Sequence, residues 1–342
     1  MSPRLKDIRD QVIVITGASS GIGLTTARMA ARRGARVVIA ARSKEALRRL
    51  EEEINAAGGK ALAVEADVTR PEDVRRIAAA AIRRFGGFDT WVNNAGSGIY
   101  GRIARVPVED ERKLFELNYW GVVYGCRAAL EHLRKRGGAI INVGSVASDR
   151  AVPLQAAYSA SKHAVKAFTD ALRLELEKDG APVSVTLIKP AAIDTPFFRH
   201  ALSYLDAPPI EPPPFYAPET VANAILHAAA HPVRDLLVGD VALLESFACR
   251  LAPRIGDRYA KAAMFEGQKS KRRRESGENR GLDRPSGDLR ERGGYDIRVF
   301  EHSACTAARL HPVCSGAAAA GAGAVIAALA VMLRKQGRAR TA

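Results

Sequence analysis

Several features that would place a protein in a specialised class are missing from this sequence. Its 342 residues include four cysteines, with no CxxC pair and no histidine at metal-ligand spacing, so we expect neither a disulfide framework nor a metal site. The N-terminal stretch MSPRLKDIRDQ contains no apolar segment of the kind that a secretory signal needs. Both absences predict a protein of a reducing compartment, the cytoplasm.

Acidic residues are scarce near the C-terminus. Residues 246–342 contain 19 basic and 9 acidic side chains, whereas residues 1–245 contain 33 and 28. The formal net charge of +15 therefore comes mainly from the C-terminal part of the chain. The basic run KSKRRRE is short and lacks interleaved aromatic residues, so we expect a solvated segment and no nucleic-acid partner.

Short apolar runs alternate with longer helical patterns along most of the chain. Most of these runs are β-branched and apolar at both even and odd positions, which is typical of strands covered on both faces. Repeated strand and helix alternation predicts an α/β fold with a doubly wound parallel sheet and flanking helices. The predicted strands are 12–16, 35–41, 61–66, 89–96, 139–145, 183–190 and 235–239.

Two segments break this alternation. Residues 194–218 carry seven prolines and predict a loop or a small helical lid with a role in binding. Residues 266–294 are charged, contain glycine and have almost no large apolar side chains, which is typical of a flexible linker. We therefore expect a main domain over 1–265, a flexible basic linker over 266–300 and a C-terminal tail over 301–342.

The tail contains an uncharged run at 313–333, which as a helix is long enough to cross a hydrocarbon layer of about 30 Å. It has nine alanines, three glycines and only six Val, Ile or Leu residues. Insertion is therefore worth only about −3 kcal/mol, and the basic residues that follow favour a cytoplasmic C-terminus. Three alternatives stay open: a membrane anchor, a helix on the membrane surface, or an Ala-rich helix packed on protein.

A glycine-rich turn, TGASSGIG, follows the first predicted strand and leads into a helix. Glycines at 17, 21 and 23 permit a tight turn and close approach of a ligand to the backbone. A pyrophosphate could then bind to free N–H groups at the positively polarised end of the helix. The alternative is a turn whose glycines serve steric needs alone.

With further motifs, the sequence resembles the short-chain dehydrogenase/reductase family. The glycine turn fits TGxxxGxG, NNAG stands at 93–96, Asn118 lies in FELNYWG, Ser145 ends the fifth predicted strand, and YSASK supplies Tyr158 and Lys162. These five elements occur in the family's order between Thr16 and Lys162, and the resemblance covers about two thirds of the chain. The resemblance implies a Rossmann-like fold, hydride transfer between a nicotinamide and a small-molecule carbonyl or alcohol substrate, and a homo-oligomer.

The spacing of Tyr158 and Lys162 has a chemical reason of its own. Residues four apart on a helix share one face. A phenol with a pKa near 10 exchanges protons poorly at neutral pH unless a nearby positive charge stabilises the phenolate. Lys162 and an oxidised nicotinamide can supply that charge, although a tyrosine and lysine pair alone could also mark a solvated helix face.

The resemblance also implies the individual roles of the site residues. Tyr158 would act as general acid and base, Ser145 would hydrogen-bond the reacting oxygen, Lys162 would also hold the nicotinamide ribose, and Asn118 would position a water. Asp67 would contact adenine. Asn118 could instead be a buried polar group, and Asp67 a loop residue. The implied cofactor-binding set is Gly17, Ser19, Ser20, Gly21, Ile22, Gly23, Arg42, Asp67, Asn94, Tyr158, Lys162, Ile193 and Thr195.

The end of the second predicted strand indicates which cofactor is preferred. An acidic residue there would bind the ribose 2′-hydroxyl of NAD and repel a 2′-phosphate. This chain has Ala41 in that place, followed by Arg42. The pattern favours NADP(H), with NAD(H) still open, and Arg42 could instead face solvent.

The stretch PAAIDT departs from the family pattern PGxxxT. Pro190 and Thr195 match, but Ala191 replaces the glycine. If the glycine serves a turn with positive φ, alanine would cost on the order of 1 kcal/mol and disturb the loop beside the nicotinamide.

Two functions from different classes remain at this point. The first is an NADP(H)-dependent oxidoreductase, and the second is a nucleotide-binding scaffold that its tail recruits to a membrane. The substrate loop suggests an apolar, lipophilic ligand, unless its large side chains pack the lid instead. These side chains are Phe197, Phe198, Leu202, Tyr204, Phe215 and Tyr216.

Overall fold

A seven-stranded parallel sheet forms the centre of the protein. The computed structural model describes residues 3–240, 253–271, 281–285 and 287–310. The strands are β1 Val12–Thr16, β2 Arg36–Ala41, β3 Lys60–Glu65, β4 Thr90–Asn93, β5 Ile99–Tyr100, β6 Gly138–Val143, β7 Val183–Pro190, β8 Leu202–Ser203, β9 Phe215–Tyr216, β10 Asp235–Val238 and β11 Val299–Phe300. The central sheet has the order β10, β7, β6, β4, β1, β2, β3, so the predicted doubly wound parallel sheet is confirmed.

Helices cover both faces of this sheet. They are α1 Gly21–Arg32, α2 Lys44–Ala56, α3 Pro71–Phe85, α4 Val108–Phe115, α5 Gly121–Arg136, α6 Ala156–Lys178, α7 Phe197–His200, α8 Pro218–Ala230, α9 Pro253–Gly267 and α10 Ala304–Leu310. Local signals set several of their ends. Pro71 begins α3, and Gly86 follows it in the left-handed conformation with φ +80°.

Two apolar layers hold the sheet between its helices. Ile13 and Ile15 of β1 belong to the layer that packs against α1 and α8, whereas Val12 and Val14 belong to the layer that packs against α3 and α5. All five residues of β1 are buried. Successive side chains of a strand point to opposite faces, so a strand buried on both faces must be apolar at every position.

The strand order reverses between β1 and β4. Neighbouring loops at the carboxyl ends of parallel strands diverge at such a point and leave a crevice for a ligand. The glycine turn follows β1, and the NNAG motif overlaps the end of β4. The topology therefore brings these two motifs together, although about seventy residues separate them in the sequence.

The C-terminal strap, defined as residues 281–285 and 287–300, differs from the expected flexible linker over 266–300. β11 pairs with β9 in parallel, and the Gly293 N–H donates a hydrogen bond to Asp194 at 3.0 Å. The Gly21 N–H donates to the Arg290 carbonyl at 2.8 Å. The backbone and the charged side chains of the strap bond to the main domain, which composition alone did not indicate.

The candidate membrane helix at 313–333 lies outside the described residues. Within the residues that the structure does describe, no helix combines the length and apolar character needed to cross a membrane.

Candidate active site

The glycine turn after β1 leaves no room for side chains at its key positions. Gly17 and Gly21 have φ values of +67° and +51°, which L-residues rarely adopt. A Cβ added at Gly17 would lie 2.8 Å from Ala95 Cα, and one at Gly23 would lie 2.3 Å from the Gly17 carbonyl oxygen. Glycine is therefore required both for the turn and for its close contact with the NNAG loop.

Asn94 fixes the position of this turn. Its Nδ2 atom donates hydrogen bonds to the carbonyl oxygens of Thr16 at 3.0 Å and Gly17 at 3.3 Å. The Asn94 backbone N–H donates to Thr16 Oγ1 at 3.1 Å, and that hydroxyl donates to the Val92 carbonyl at 3.2 Å. Asn94 thus supports the loop that we expect to bind the cofactor phosphates.

The three residues predicted to have the main chemical roles come from the segment after β6 and from α6. Ser145 lies two residues after β6, and its hydroxyl accepts a hydrogen bond from the Ala147 N–H at 3.1 Å. Tyr158 and Lys162 lie one turn apart near the start of α6, and Lys162 Nζ is 5.8 Å from the centroid of the Tyr158 ring. Lys162 Nζ donates to the Val143 carbonyl at 2.9 Å. The amine is therefore held at the end of β6 beside the tyrosine.

Burial shifts the acid strength of both α6 residues. Burial raises the pKa of Tyr158 to about 12; the Ser145 hydroxyl opposes this rise, and the negative charge of Glu211 adds to it. Burial lowers the pKa of Lys162 to about 8. At neutral pH, Tyr158 therefore carries its proton, and Lys162 is still mainly charged.

Asn118 lies in a short π-helical segment, Glu116–Trp120, between α4 and α5. Its Oδ1 accepts from the Ser97 N–H at 3.0 Å, and its Nδ2 donates to the Ser97 carbonyl at 3.0 Å and to Ser161 Oγ at 3.1 Å. π-Helical segments are frequent at functional sites. The Asn118 side chain thus secures the loop after NNAG, and these contacts do not include Lys162.

One cavity of about 310 Å³ collects most of the predicted site residues. It reaches from the glycine turn, past Lys162, to the segment after β7. Gly23 and Asn118 do not line the cavity; they contact Gly17 and Ser97, which do. The predicted residues that line it are Gly17, Ser19, Ser20, Gly21, Ile22, Arg42, Asp67, Asn94, Ser145, Tyr158, Lys162, Ile193 and Thr195.

The lining of the cavity has features that a dinucleotide requires. A Cβ added at Gly21 would come within 3.0 Å of Thr195 Cβ, so the missing side chain keeps open the passage between the glycine turn and the segment after β7. Asp67 lines the other end, where its Oδ1 accepts hydrogen bonds from the N–H and the hydroxyl of Thr69. The residues present therefore fit a nicotinamide dinucleotide.

Arg42 lines the cavity and does not simply face solvent. Its guanidinium donates hydrogen bonds to backbone carbonyls of the C-terminal strap, those of Gly281, Leu282 and Arg284. Gly281 and Pro285 of the strap line the same cavity. The strap therefore forms part of the wall beside Arg42.

Ala191 adopts an ordinary backbone conformation, so the expected strain at this position is absent. The described residues other than glycine that have positive φ are Leu154 and Leu289. Ala191 instead faces Gly239, where an added Cβ would lie 2.9 Å from Ala191 Cβ. The chain accommodates the alanine because the opposite position has no side chain.

The large side chains of the substrate loop have mixed roles. Phe197 and Phe198 line the cavity, and the Phe197 ring lies 5.7 Å from that of Tyr158. Phe215 and Tyr216 are buried in β9, and the Tyr204 hydroxyl donates to Asp110. Packing of the loop thus accounts for part of the apolar pattern.

Several residues of the cavity wall had no signal in the sequence. Tyr100, Gln155 and Glu211 line the cavity and are joined by hydrogen bonds. Glu211 lies in the proline-rich loop and Gln155 just before α6, and neither stands in a motif. The one indication of Gln155 in the sequence is its position three residues before YSASK.

Comparisons with known proteins agree with this geometry. A family model described as short chain dehydrogenase matches residues 11–204. YxnA of Bacillus subtilis strain 168, an uncharacterised oxidoreductase, is 47% identical over 93% of this chain and 90% of its own length.

Solved structures show the same similarity. A short chain dehydrogenase/reductase from Burkholderia phymatum in complex with NAD is 27% identical, covers 73% of this chain and 96% of its own, and has a TM-score of 0.66. An alcohol dehydrogenase from the archaeon Thermococcus sibiricus complexed with 5-hydroxy-NADP is 28% identical, covers 67% and 95%, and has a TM-score of 0.59.

Proposed function

Because the chain belongs to the short chain dehydrogenase family and is an oxidoreductase acting on CH–OH donors, we propose that it is NADP(H)-dependent and uses Tyr158 as general acid and base. The single observation that carries the proposal is the placement of Ser145, Tyr158 and Lys162 on the wall of one cavity with the glycine turn. A scaffold would not need this arrangement.

The glycine turn and Lys162 would hold a nicotinamide dinucleotide, which would supply or accept the hydride. Tyr158 donates its proton to the carbonyl oxygen during reduction and takes it back from the alcohol during oxidation. Ser145 holds the same oxygen through its hydroxyl. Lys162, fixed by the Val143 carbonyl, places a positive charge beside the phenol and so favours the phenolate when oxidation requires it.

The direct test is Tyr158→Phe in the purified protein, assayed with NADPH and with NADP⁺ against carbonyls and alcohols of graded size. Removal of a general acid costs about 10²- to 10⁴-fold in rate. We expect turnover to fall by that amount while NADPH binding, measured by fluorescence titration, is retained. Unchanged turnover would remove Tyr158 from the mechanism, and turnover absent in both proteins with every substrate would favour the scaffold alternative.

The cofactor preference rests on Arg42. Its guanidinium lies in the cavity wall, where a 2′-phosphate would replace the strap carbonyls as the hydrogen-bond acceptor of Arg42. Arg and phosphate form strong, charge-assisted hydrogen bonds. Among the described residues, the partners of the Arg42 guanidinium are backbone carbonyls and no acidic side chain forms an ion pair with it, so its charge remains available to an anion.

Arg42→Ala tests this preference. We expect the dissociation constant for NADPH to rise roughly tenfold or more, and that for NADH to change little, because a hydrogen bond to a charged group is worth about 1.5 to 3 kcal/mol. Arg102→Ala, at an exposed position, is the control. Tighter binding of NADH than NADPH by the unmodified protein would refute the NADP(H) assignment.

We retain a homo-oligomer as part of the proposal. Leu174 on α6 is 60% exposed and Ile82 on α3 is 42% exposed, which gives apolar surface for contacts between copies. Light scattering during size-exclusion chromatography measures the mass directly. A purely monomeric protein at micromolar concentration would contradict this part.

Membrane association through 313–333 also remains a proposal. Its support is the uncharged run itself, with the basic residues that follow it. Flotation of the full chain with anionic vesicles tests it, and a chain ending at residue 312 is the control. Equal flotation of the two proteins would remove the tail from any such role.

A further inference from the structure

The C-terminal strap consists of two parts that are held in different ways. Its residues 292–300 are anchored to the main domain, where β11 pairs with β9 and the Gly293 N–H donates to Asp194. Its residues 281–285 and 287–291, which we call the covering part, form part of the cavity wall, and none of these described residues is buried. Segments with little burial open at a low cost in free energy. The covering part is therefore the part of the strap that can open while the other stays in place.

Carbonyl oxygens of the covering part accept hydrogen bonds from groups that the cofactor would use. The Gly21 N–H, the first of helix α1, donates to the Arg290 carbonyl at 2.8 Å. The Arg42 guanidinium donates to the carbonyls of Leu282 at 3.0 Å and Arg284 at 3.3 Å. N–H groups at the start of a helix bind phosphates, and we expect the guanidinium to bind the 2′-phosphate of NADPH. The covering part and the cofactor phosphates therefore compete for the same donors.

Two ion pairs fasten the covering part to two separate helices. Asp283 pairs with Lys113 of α4 at 3.0 Å, and Glu291 pairs with Arg28 of α1 at 3.0 Å. These four side chains do not line the cavity. The side chains of Asp283 and Lys113 are both half exposed, and exposed ion pairs contribute little to stability. The closed position is therefore held by weak interactions that lie outside the cofactor site.

The backbone of the covering part is strained where it reaches the glycine turn. Leu289 has a φ of +49°, in the left-handed region that leucine rarely adopts. It directly precedes Arg290, whose carbonyl accepts from the Gly21 N–H. A phosphate oxygen forms charge-assisted hydrogen bonds, which are about twice as strong as those of a neutral carbonyl. A phosphate can therefore displace this carbonyl, and the strain at Leu289 favours the displacement.

We propose that the covering part is an autoinhibitory gate, which closes on Gly21 and Arg42 in the cofactor-free protein and is displaced when the phosphates of NADPH bind. This inference rests on the proposed function, because it takes NADPH as the cofactor. Only the open fraction of the protein can bind NADPH, so closure lowers the apparent affinity. The ion pairs with Lys113 and Arg28 set the open fraction, although neither residue contacts the cavity.

A reversible cross-link tests the gate directly. A Cβ added at Gly287 would lie 4.0 Å from Ser43 Cβ, and this spacing suits a disulfide. We expect the oxidised Ser43→Cys/Gly287→Cys protein to bind NADPH about tenfold more weakly, or weaker still, than the same protein after reduction, as measured by fluorescence titration. Gly287→Cys alone, oxidised in the same way, controls for the native cysteines. Equal affinity of the oxidised and reduced double variant would overturn the gate.

The opposite change should open the gate. Lys113→Ala combined with Glu291→Ala breaks both ion pairs and leaves the net charge unchanged, because one charge of each sign is removed. We expect this variant to bind NADPH about three- to tenfold more tightly than the unmodified protein. Arg48→Ala combined with Glu52→Ala, which removes an exposed ion pair within α2, is the matched control and should leave the affinity unchanged. Unchanged or weaker binding by the first variant would contradict the proposal.

The gate and the proposed function fail in different ways, because cofactor binding tests the first and turnover tests the second. If Tyr158→Phe abolishes turnover but the oxidised and reduced cross-linked proteins bind NADPH equally, the gate is overturned and the proposed function stands. If the unmodified protein binds NADH more tightly than NADPH, the role of Arg42 fails and the gate fails with it.

Discussion

Replacing Lys162 by methionine should remove a cost in stability that the site imposes on the folded protein. Lys162 is 5% exposed, and burial lowers its pKa from 10.5 to about 8. At about 1.4 kcal/mol per tenfold change in the proton equilibrium, the charged amine destabilises the folded state by roughly 3 kcal/mol below pH 8. Methionine has a similar length and carries no charge, although it loses the hydrogen bond to the Val143 carbonyl.

The pH dependence gives the sharper prediction, because the lost hydrogen bond does not obscure it. Between the lowered pKa in the folded state and the ordinary pKa in the unfolded state, the unfolded chain binds more protons. The stability of the unmodified protein should therefore rise with pH in this window. Between about pH 7 and pH 10, we expect the free energy of unfolding of the unmodified protein to rise by roughly 2 to 3 kcal/mol more than that of Lys162→Met.

The assay is urea unfolding of the cofactor-free proteins at both pH values, followed by circular dichroism. Lys178→Met is the matched control, because Lys178 is exposed in the last turn of the same helix, α6. Its stability difference from the unmodified protein should stay within about 0.5 kcal/mol at either pH. A difference for Lys162→Met that does not change between the two pH values would refute a buried, desolvated amine.

Three further substitutions test the packing around the site. Ala191→Gly should leave kcat within about twofold and the melting temperature close to that of the unmodified protein. Gly239→Ala should lower the free energy of unfolding by about 1 to 3 kcal/mol, because φ there is +108° and the new Cβ would meet Ala191. Equal melting temperatures for Gly239→Ala and the unmodified protein would contradict this. Gly125→Ala should destabilise by a similar amount, since its Cβ would lie 1.9 Å from Asn93 Oδ1, and calorimetry measures it. Asn94→Ala should raise the KM for NADPH about tenfold, because two carbonyls of the glycine turn lose their donor, and an unchanged KM would exclude that role.

Local patterns were sufficient to predict the sheet and the main site residues. The strands follow from apolar runs that can be buried on both faces, and each of the seven predicted runs overlaps a strand of the central sheet. Tyr158 and Lys162 share a helix face because of their four-residue spacing, and the glycine turn needs its small residues wherever it occurs. Each of these inferences depends on neighbours in the sequence.

The C-terminal strap and the hydrogen bonds that join Tyr100, Gln155 and Glu211 could not be predicted in this way. The composition of the strap is typical of a linker. The hydrogen bonds that hold it in place join it to Arg42 and Gly21, which are more than two hundred residues away in the sequence. Tyr100, Gln155 and Glu211 come from β5, the position just before α6 and the proline-rich loop.

Ala191 shows the same limit at a single position. The sequence indicated a loss of glycine but did not show that Gly239 provides the missing space. Backbone preference and helical spacing act over a few residues, and they determined the fold class and the residues proposed for hydride transfer. The position of Glu211 and the wall beside Arg42 depend on contacts between distant segments, which form only when the chain packs.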